Sequence, residues 1–180
     1  MSTTRSDIIA SCERVFDHNG FAASGMDTLT AAANVSSRTL YKHLGSKSGL
    51  AAAVLHARME RFFDTCAAAT FDELLSGLER WIETEGARGC LFLRAQGETG
   101  TADEVPTANA EVPTVVAEYR RRLRALISHL TDNDLGHEDA ALTDELLIVF
   151  EGATSAASYL GPRAVTAARS AASALLERAR

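Results

Sequence analysis

Apolar residues recur at intervals of three and four along almost the whole chain, and no stretch reads as a strand. Ile8, Ile9, Cys12, Val15 and Phe16 form one stripe of a first helix, which Asn19-Gly20 is placed to end through a left-handed residue. Leu50, Val54, Leu55, Arg58, Phe62 and Cys66 predict a long helix beginning near Ser46, and Phe71, Leu74, Leu75, Leu78 and Trp81-Ile82 another that ends by Gly86. Gly89 to Arg94 is a short apolar piece of undecided form, and from Gly97 to Pro113 the composition turns to Gly, Thr, Asp and Pro, which reads as a loop. Val115, Tyr119, Leu123, Leu126-Ile127 and Leu130 resume the helical period as far as Asp132-Asn133-Asp134. Leu142, Leu146-Leu147, Phe150, Ala153 and Ala157 continue it to Gly161-Pro162, and an Ala-rich helix runs from Ala164 to Arg180. Only 3 prolines interrupt 180 residues. The pattern predicts an all-α fold of about nine helices, built as one globular unit or as a large domain carrying a small one.

Several classes of function fall away. The longest apolar runs, such as Leu146 to Phe150, are far short of the roughly 20 residues that cross a bilayer, so no membrane span is expected. Met1-Ser2-Thr3-Thr4-Arg5 has no apolar signal core, and the expected location is cytoplasmic. Cys12, Cys66 and Cys90 are odd in number, widely spaced and without a CxxC, which points away from a disulfide framework or a zinc site. No metal and no cofactor is expected. A helical enzyme finds no support either, since no GxSxG, HExxH, phosphate-cradling Gly-rich loop or Ser-His-Asp arrangement stands out.

The net charge of −6 is unevenly spread. Residues 1–50 balance to +1, with Arg5, Arg14, Arg38, Lys42 and Lys47 against Asp7, Glu13, Asp17 and Asp27, while the rest holds 13 basic and 20 acidic groups. Both lysines of the chain, Lys42 and Lys47, lie in the same short stretch. Such a distribution suits a small DNA-binding head on an acidic body.

The stretch from Gly25 to Leu50 is the most informative. Met26 to Ala33 makes about two helical turns with Leu29 inward, and Asn34 follows where a left-handed turn residue is needed. Ser36 is a good N-cap for a second short helix from Ser37 to His43. With Val35 and Leu40 inward, Ser37, Arg38, Thr39, Tyr41, Lys42 and His43 face outward, which is the form of a helix-turn-helix. Arg pairs with guanine and Ser or Thr with several base edges, whereas Tyr41, Lys42, His43 and Lys47 are placed for phosphates. The plainer alternative is a pair of surface helices with a solvated polar face.

This segment, "TLTAAANVSSRTLYKHLGSKSGLAAAV", preceded by "RSDIIASCERVFDHNGFAAS", resembles the TetR/AcrR family of bacterial transcriptional regulators. The family pattern is an opening apolar helix, a small polar cap, "IA..AGVS..TLY.HF..K..L" and a long connecting helix, and the resemblance covers residues 2–62. It implies a DNA surface of Thr28, Ser37, Arg38, Thr39, Tyr41, Lys42, His43 and Lys47. Gly25 stands where the family has a Ser or Thr cap, Asn34 where it has Gly, and Leu44 where it has Phe. Ser48-Gly49 replaces an acidic capping residue, so the second helix and the long helix are both expected to start less well capped.

The resemblance further implies that residues 63–180 form a regulatory domain that binds a small-molecule effector and pairs with a second copy, giving a homodimer on a palindromic double-stranded DNA operator. Candidate pocket residues are Phe62, Phe63, Cys66, Trp81, Phe92, Tyr119 and Phe150, although an aromatic stripe at this spacing is also what an ordinary core looks like. Candidate pairing residues are Ala153, Ala157 and Leu160 on one helix and Val165, Ala168, Ala172, Leu175 and Leu176 on the next, where small side chains let helices approach closely. The same face could equally be internal core. Cys90 after Gly89 could be a sensing thiol or a small buried hydrophobe, and the run Arg120-Arg121-Arg122-Leu123-Arg124 reads as a solvated helix face. The expected function is a ligand-responsive transcriptional repressor; the alternative is a helical interaction protein with a vestigial head.

Overall fold

The computed structural model describes residues 4–100 and 110–180. Among them are nine α-helices and no strand: α1 (Arg5–Asn19), α2 (Met26–Ala33), α3 (Ser37–Leu44), α4 (Lys47–Thr65), α5 (Phe71–Glu85), α6 (Leu91–Thr99), α7 (Glu111–Leu135), α8 (Ala140–Leu160) and α9 (Arg163–Ala179). Packing divides the chain into two compact units. The first comprises residues 1–60 and 91–118, and the second residues 61–90 and 119–180.

In the first unit, α1 is fixed at its start by a reciprocal cap. Thr4 Oγ1 accepts from the Asp7 N–H, and the Asp7 carboxylate accepts from the Thr4 N–H. The Thr4 hydroxyl, which donates to the same carboxylate at 2.6 Å, and then the Thr4 N–H hold the exposed Asp7 carboxyl below the usual range. Ile8, Cys12 and Phe16 are buried on one face of α1, and Phe16 stacks on Phe21 with ring centroids 4.8 Å apart. Gly20 ends the helix at φ +83°, donating its N–H to Phe16 O. The same face of α1 also buries charge. Arg58, on the apolar stripe of α4, reaches Glu13 at 2.9 Å and Asp17 at 4.0 Å, with all three side chains under one-tenth exposed. Two carboxylates one helical turn apart thus meet the guanidinium that the stripe would otherwise leave unmatched.

In the second unit, α5 begins at a Thr70 cap and ends at Gly86. Gly77 lies against α4's end so closely that a Cβ there would come within 2.9 Å of Cys66 Cα. Burial pushes the Cys66 thiol up to about 12, and burial likewise lifts Cys12 in the first unit to about 11. α8 and α9 pack along their lengths, joined by Gly161-Pro162. Arg169 of α9 bonds Asp72 and Ser76 on α5, and Arg178 meets Glu145 of α8 at 2.5 Å.

Two expectations need correcting. The apolar piece after Gly89 is the first part of α6, which includes Gly97 to Thr99, and Glu111 to Pro113 open α7. The loop expected over 97–113 is therefore shorter at both ends, with residues 101–109 outside the described set. Pro113 misled because proline is well accepted in the first turn of a helix. The start of α4 is also not poorly capped, because Ser46 Oγ accepts from the Gly49 N–H at 2.8 Å.

Removing the Arg58 guanidinium takes away the cation that two buried carboxylates share. Arg58→Ala is expected to destabilise the chain by about 3 kcal/mol in urea unfolding at neutral pH. In the folded protein at pH 8, Cys12 and Cys66 are expected to resist iodoacetamide, and both are expected to be labelled after denaturation.

Candidate nucleic-acid interface

A short helix presents a fixed surface only when its ends and its underside are held. The α2–α3 turn closes on Asn34 at φ 52°, ψ 45°, the left-handed region, with its N–H on Ala31 O and the Val35 N–H on Thr30 O. Ser36 then caps α3, its Oγ accepting from the Thr39 N–H at 3.2 Å. Gly45 ends α3 by donating to Tyr41 O. Leu29 and Ala33 of α2 and Leu40 and Leu44 of α3 are all buried, so both helices lie on the base formed with α1. Cys12 Sγ contacts the Leu29 carbonyl within that base at 3.6 Å.

The opposite face of α3 is open. Ser37, Arg38, Tyr41, Lys42 and His43 are exposed there, as is Thr28 on α2, and Tyr41 is 47% accessible despite its size. They offer a guanidinium, an ammonium, an imidazole and two kinds of hydroxyl on two turns of helix, a donor-rich surface with no carboxylate on α3 itself. Two residues of the expected set are placed differently. Thr39 is half-buried, its hydroxyl sharing a hydrogen bond with Ser36 Oγ at 2.9 Å. Lys47 is also half-buried, and its Nζ donates to the Ala22 carbonyl at 3.3 Å.

The body residues separate into distinct groups. Phe62 is ringed by Phe63, Trp81, Tyr119 and Phe150, with centroids 5.3 to 6.1 Å apart and mostly edge-on. Arg122 lies over the Phe63 ring at 4.3 Å. Burial drives the Tyr119 hydroxyl well above its ordinary value. Cys66 is buried in the same unit, and Phe92 is buried on α6 in the other. Grooves in the second unit include one of about 500 Å³ beside Arg121, Arg124, Ser128 and His129 and another of about 330 Å³ beside Phe71, Leu75 and Arg169. Among the candidate pairing residues, Ala153, Ala157, Val165, Ala168 and Ala172 are buried within the single chain, Leu160 is exposed, and Leu175 and Leu176 are half-buried. The outward side of α8 instead carries Ile148, Gly152, Ser155 and Tyr159, with Ile148 72% and Tyr159 77% exposed. Outward on α9 are Ala167, Ala171 and Ala174. Among the described residues, no three His, Cys, Asp or Glu side chains gather as a metal site would require, and no helix is long and apolar enough to cross a membrane.

The family model of the bacterial regulatory proteins, tetR family, matches residues 8–54, the span that builds α1 to α3 and enters α4. Residues 8–54 thus resemble the N-terminal module of that family. The described chain also has the TetR-family regulator fold. It is similar to a TetR-family transcriptional regulator from Streptomyces coelicolor with TM-score 0.85 and 23% identity, covering 97% of this chain and 94% of that one. It is similar to a regulatory protein TetR from Rhodobacter sphaeroides with TM-score 0.76 and 19% identity, covering 96% and 98%. A TetR-like transcriptional regulator from Rhodococcus gives TM-score 0.73 and 22% identity, covering 99% and 97%. No curated protein matches the sequence.

Sequence reasoning missed the contacts of three residues in the TetR-type head. Arg58 was visible as a charge on an apolar stripe, with Glu13 and Asp17 one turn apart as its natural partners. Arg94 and Glu98, which bond Asp17 O and the Ala22 N–H from α6, lie more than 70 positions away and left no local signal.

The left-handed turn at Asn34 yields a direct test of the α2–α3 geometry. Asn34→Gly is expected to leave thermal stability within about 1 kcal/mol of wild type, whereas Asn34→Val, β-branched at positive φ, should lose about 1–2 kcal/mol.

Proposed function

We propose that the chain is a ligand-responsive, sequence-specific DNA-binding transcriptional repressor that binds a palindromic operator as a homodimer and is released by a small-molecule effector. The observation that carries this reading is the exposed face of α3, where Ser37, Arg38, Tyr41, Lys42 and His43 stand outward on a helix whose other side is buried. In this reading α3 enters the major groove, Ser37 and Arg38 near its start meet base edges, and Tyr41, Lys42, His43 and Thr28 meet phosphates. Thr39 supports the cap, and Lys47 reaches phosphate only by sharing or leaving its bond to Ala22.

Residues 2–62 act as the DNA-binding domain, with the helix-turn-helix at 25–44, and residues 63–180 as the regulatory domain. Pairing uses the outward sides of α8 and α9, where Ile148 and Tyr159 supply large apolar surface and Ala167, Ala171 and Ala174 leave room for it, while the buried alanines between the two helices hold each protomer together. The effector enters by parting the ring cluster around Phe62, and it acts by binding one pose of the head pair more tightly than the other. This reading assigns the chain no catalytic step and places it in the cytoplasm.

A duplex selected from a random pool by the wild-type protein is expected to be an imperfect palindrome whose half-sites lie about one helical turn apart. In a gel shift, Arg38→Ala/Tyr41→Ala should weaken binding to that duplex at least roughly tenfold, and wild-type affinity should fall steeply as salt rises. Unchanged binding by the double variant contradicts the assignment of α3, and a flat salt dependence favours a vestigial head. Ile148→Glu/Tyr159→Glu should sediment as a folded monomer if α8 pairs as proposed.

A further inference from the structure

α2 begins without a side-chain cap. Gly25 occupies the N-cap position at φ −71°, and no side chain accepts from the first-turn N–H groups. Elsewhere in the head Thr4, Ser36 and Ser46 do this. A helix of eight residues has little stability to spare, so an open start needs compensation.

α6, which belongs to the same compact unit, bonds the chain just ahead of α2. Arg94 Nη1 donates to Asp17 O at 2.7 Å in the last turn of α1. One helical turn further on, Glu98 Oε2 accepts from the Ala22 N–H at 2.5 Å. The carboxylate comes so close to the chain that a Cβ at residue 20 would lie 2.6 Å from Glu98 Oε1, and Gly20 itself is suited to its φ of +83°. From the other side Lys47 holds the Ala22 carbonyl. Ala22 is thus gripped by an anion at its N–H and a cation at its C=O, three residues before Gly25, and Ser24 Oγ bonds Gly20 O across the same turn.

We infer that α6 stands in for the cap that α2 lacks. Arg94 and Glu98 hold the α1–α2 turn, the turn holds the start of α2, and α2 holds the reading helix α3. Operator affinity is then set in part by a helix that carries none of the reading residues, and moving α6 off the turn loosens the head from its α2 end. Glu98 and Arg94 are positioning residues for DNA reading. The inference rests on the DNA-binding function proposed above for its consequence, though not for the mechanical link.

The test uses the full chain and two readouts: amide exchange at Leu29 and Thr30, the first hydrogen-bonded amides of α2, and affinity for the duplex selected by the wild-type protein. Glu98→Ala is expected to speed exchange at both amides roughly three- to tenfold, with α9 amides unchanged, and to weaken duplex binding by a similar factor at an unaltered salt slope. Gly25→Ser restores a capping hydroxyl at a position whose added Cβ meets nothing within 4 Å. In the Glu98→Ala background it should recover roughly two- to fivefold of both losses, and it should do less in the wild type. If Glu98→Ala does not fold, Glu98→Gln and Arg94→Ala should move both readouts in the same direction by less. Unchanged exchange at Leu29 and Thr30 in a folded Glu98→Ala protein overturns the inference, as does a double variant as loose as the single one. Faster exchange with undiminished duplex affinity overturns the link from α2 to reading. A wild-type protein that selects no duplex, with exchange behaving as stated, removes the DNA function and leaves the α6 clamp standing.

Discussion

Two turns of helix do not persist alone in water, and α3, the helix proposed to read DNA, is two turns long. Everything that makes α3 a surface of fixed shape lies beneath or beside it. Leu40 and Leu44 bury its underside, Ser36 closes its first turn, and Asn34 turns the chain sharply enough for α2 and α3 to share one base with α1. The polar face is free to meet another molecule because none of its outward groups is needed for that support. Thr39 is the instructive exception, spending its hydroxyl on the cap.

A second layer of support is electrostatic and reaches the head from outside its three helices. Arg58 of α4 meets Glu13 and Asp17 out of water, and α6 fixes the α1–α2 turn through Arg94 and Glu98. A buried ion pair adds less net stability than its geometry suggests, since desolvation offsets much of the attraction. It does fix register, because the guanidinium has one place on α1 where two carboxylates await it. Specific polar contacts from α4 and α6 thus bear on α1 and on the turn that leads into α2.

The helical order was legible because apolar side chains at three- and four-residue spacing leave no doubt about helix in stretches as long as α5, α7 or α8. The helix-turn-helix was legible for the same reason that it is rigid: Asn34, Ser36 and Leu40 each occupy the one position where their chemistry serves. Less was visible where a residue has two compatible settings. Pro113 reads as a loop residue and sits in the first turn of α7. Ala153, Ala157, Val165, Ala168 and Ala172 look alike whether a small-residue face packs on its own chain or on another, and here it packs on its own. Lys47 reads as a phosphate ligand and instead rests on a carbonyl of the α1–α2 turn. The contacts from α6 to that turn, bridging more than 70 positions, could not be read from local pattern at all.

The proposed DNA-binding surface can be mapped directly by recording amide spectra of isotope-labelled protein while duplex is added. The account predicts that the largest changes cluster at Thr28, Ser37 to His43 and the first turn of α4. Changes centred on the Arg120–Arg124 face of α7, or spread evenly with no focus on α3, would contradict it.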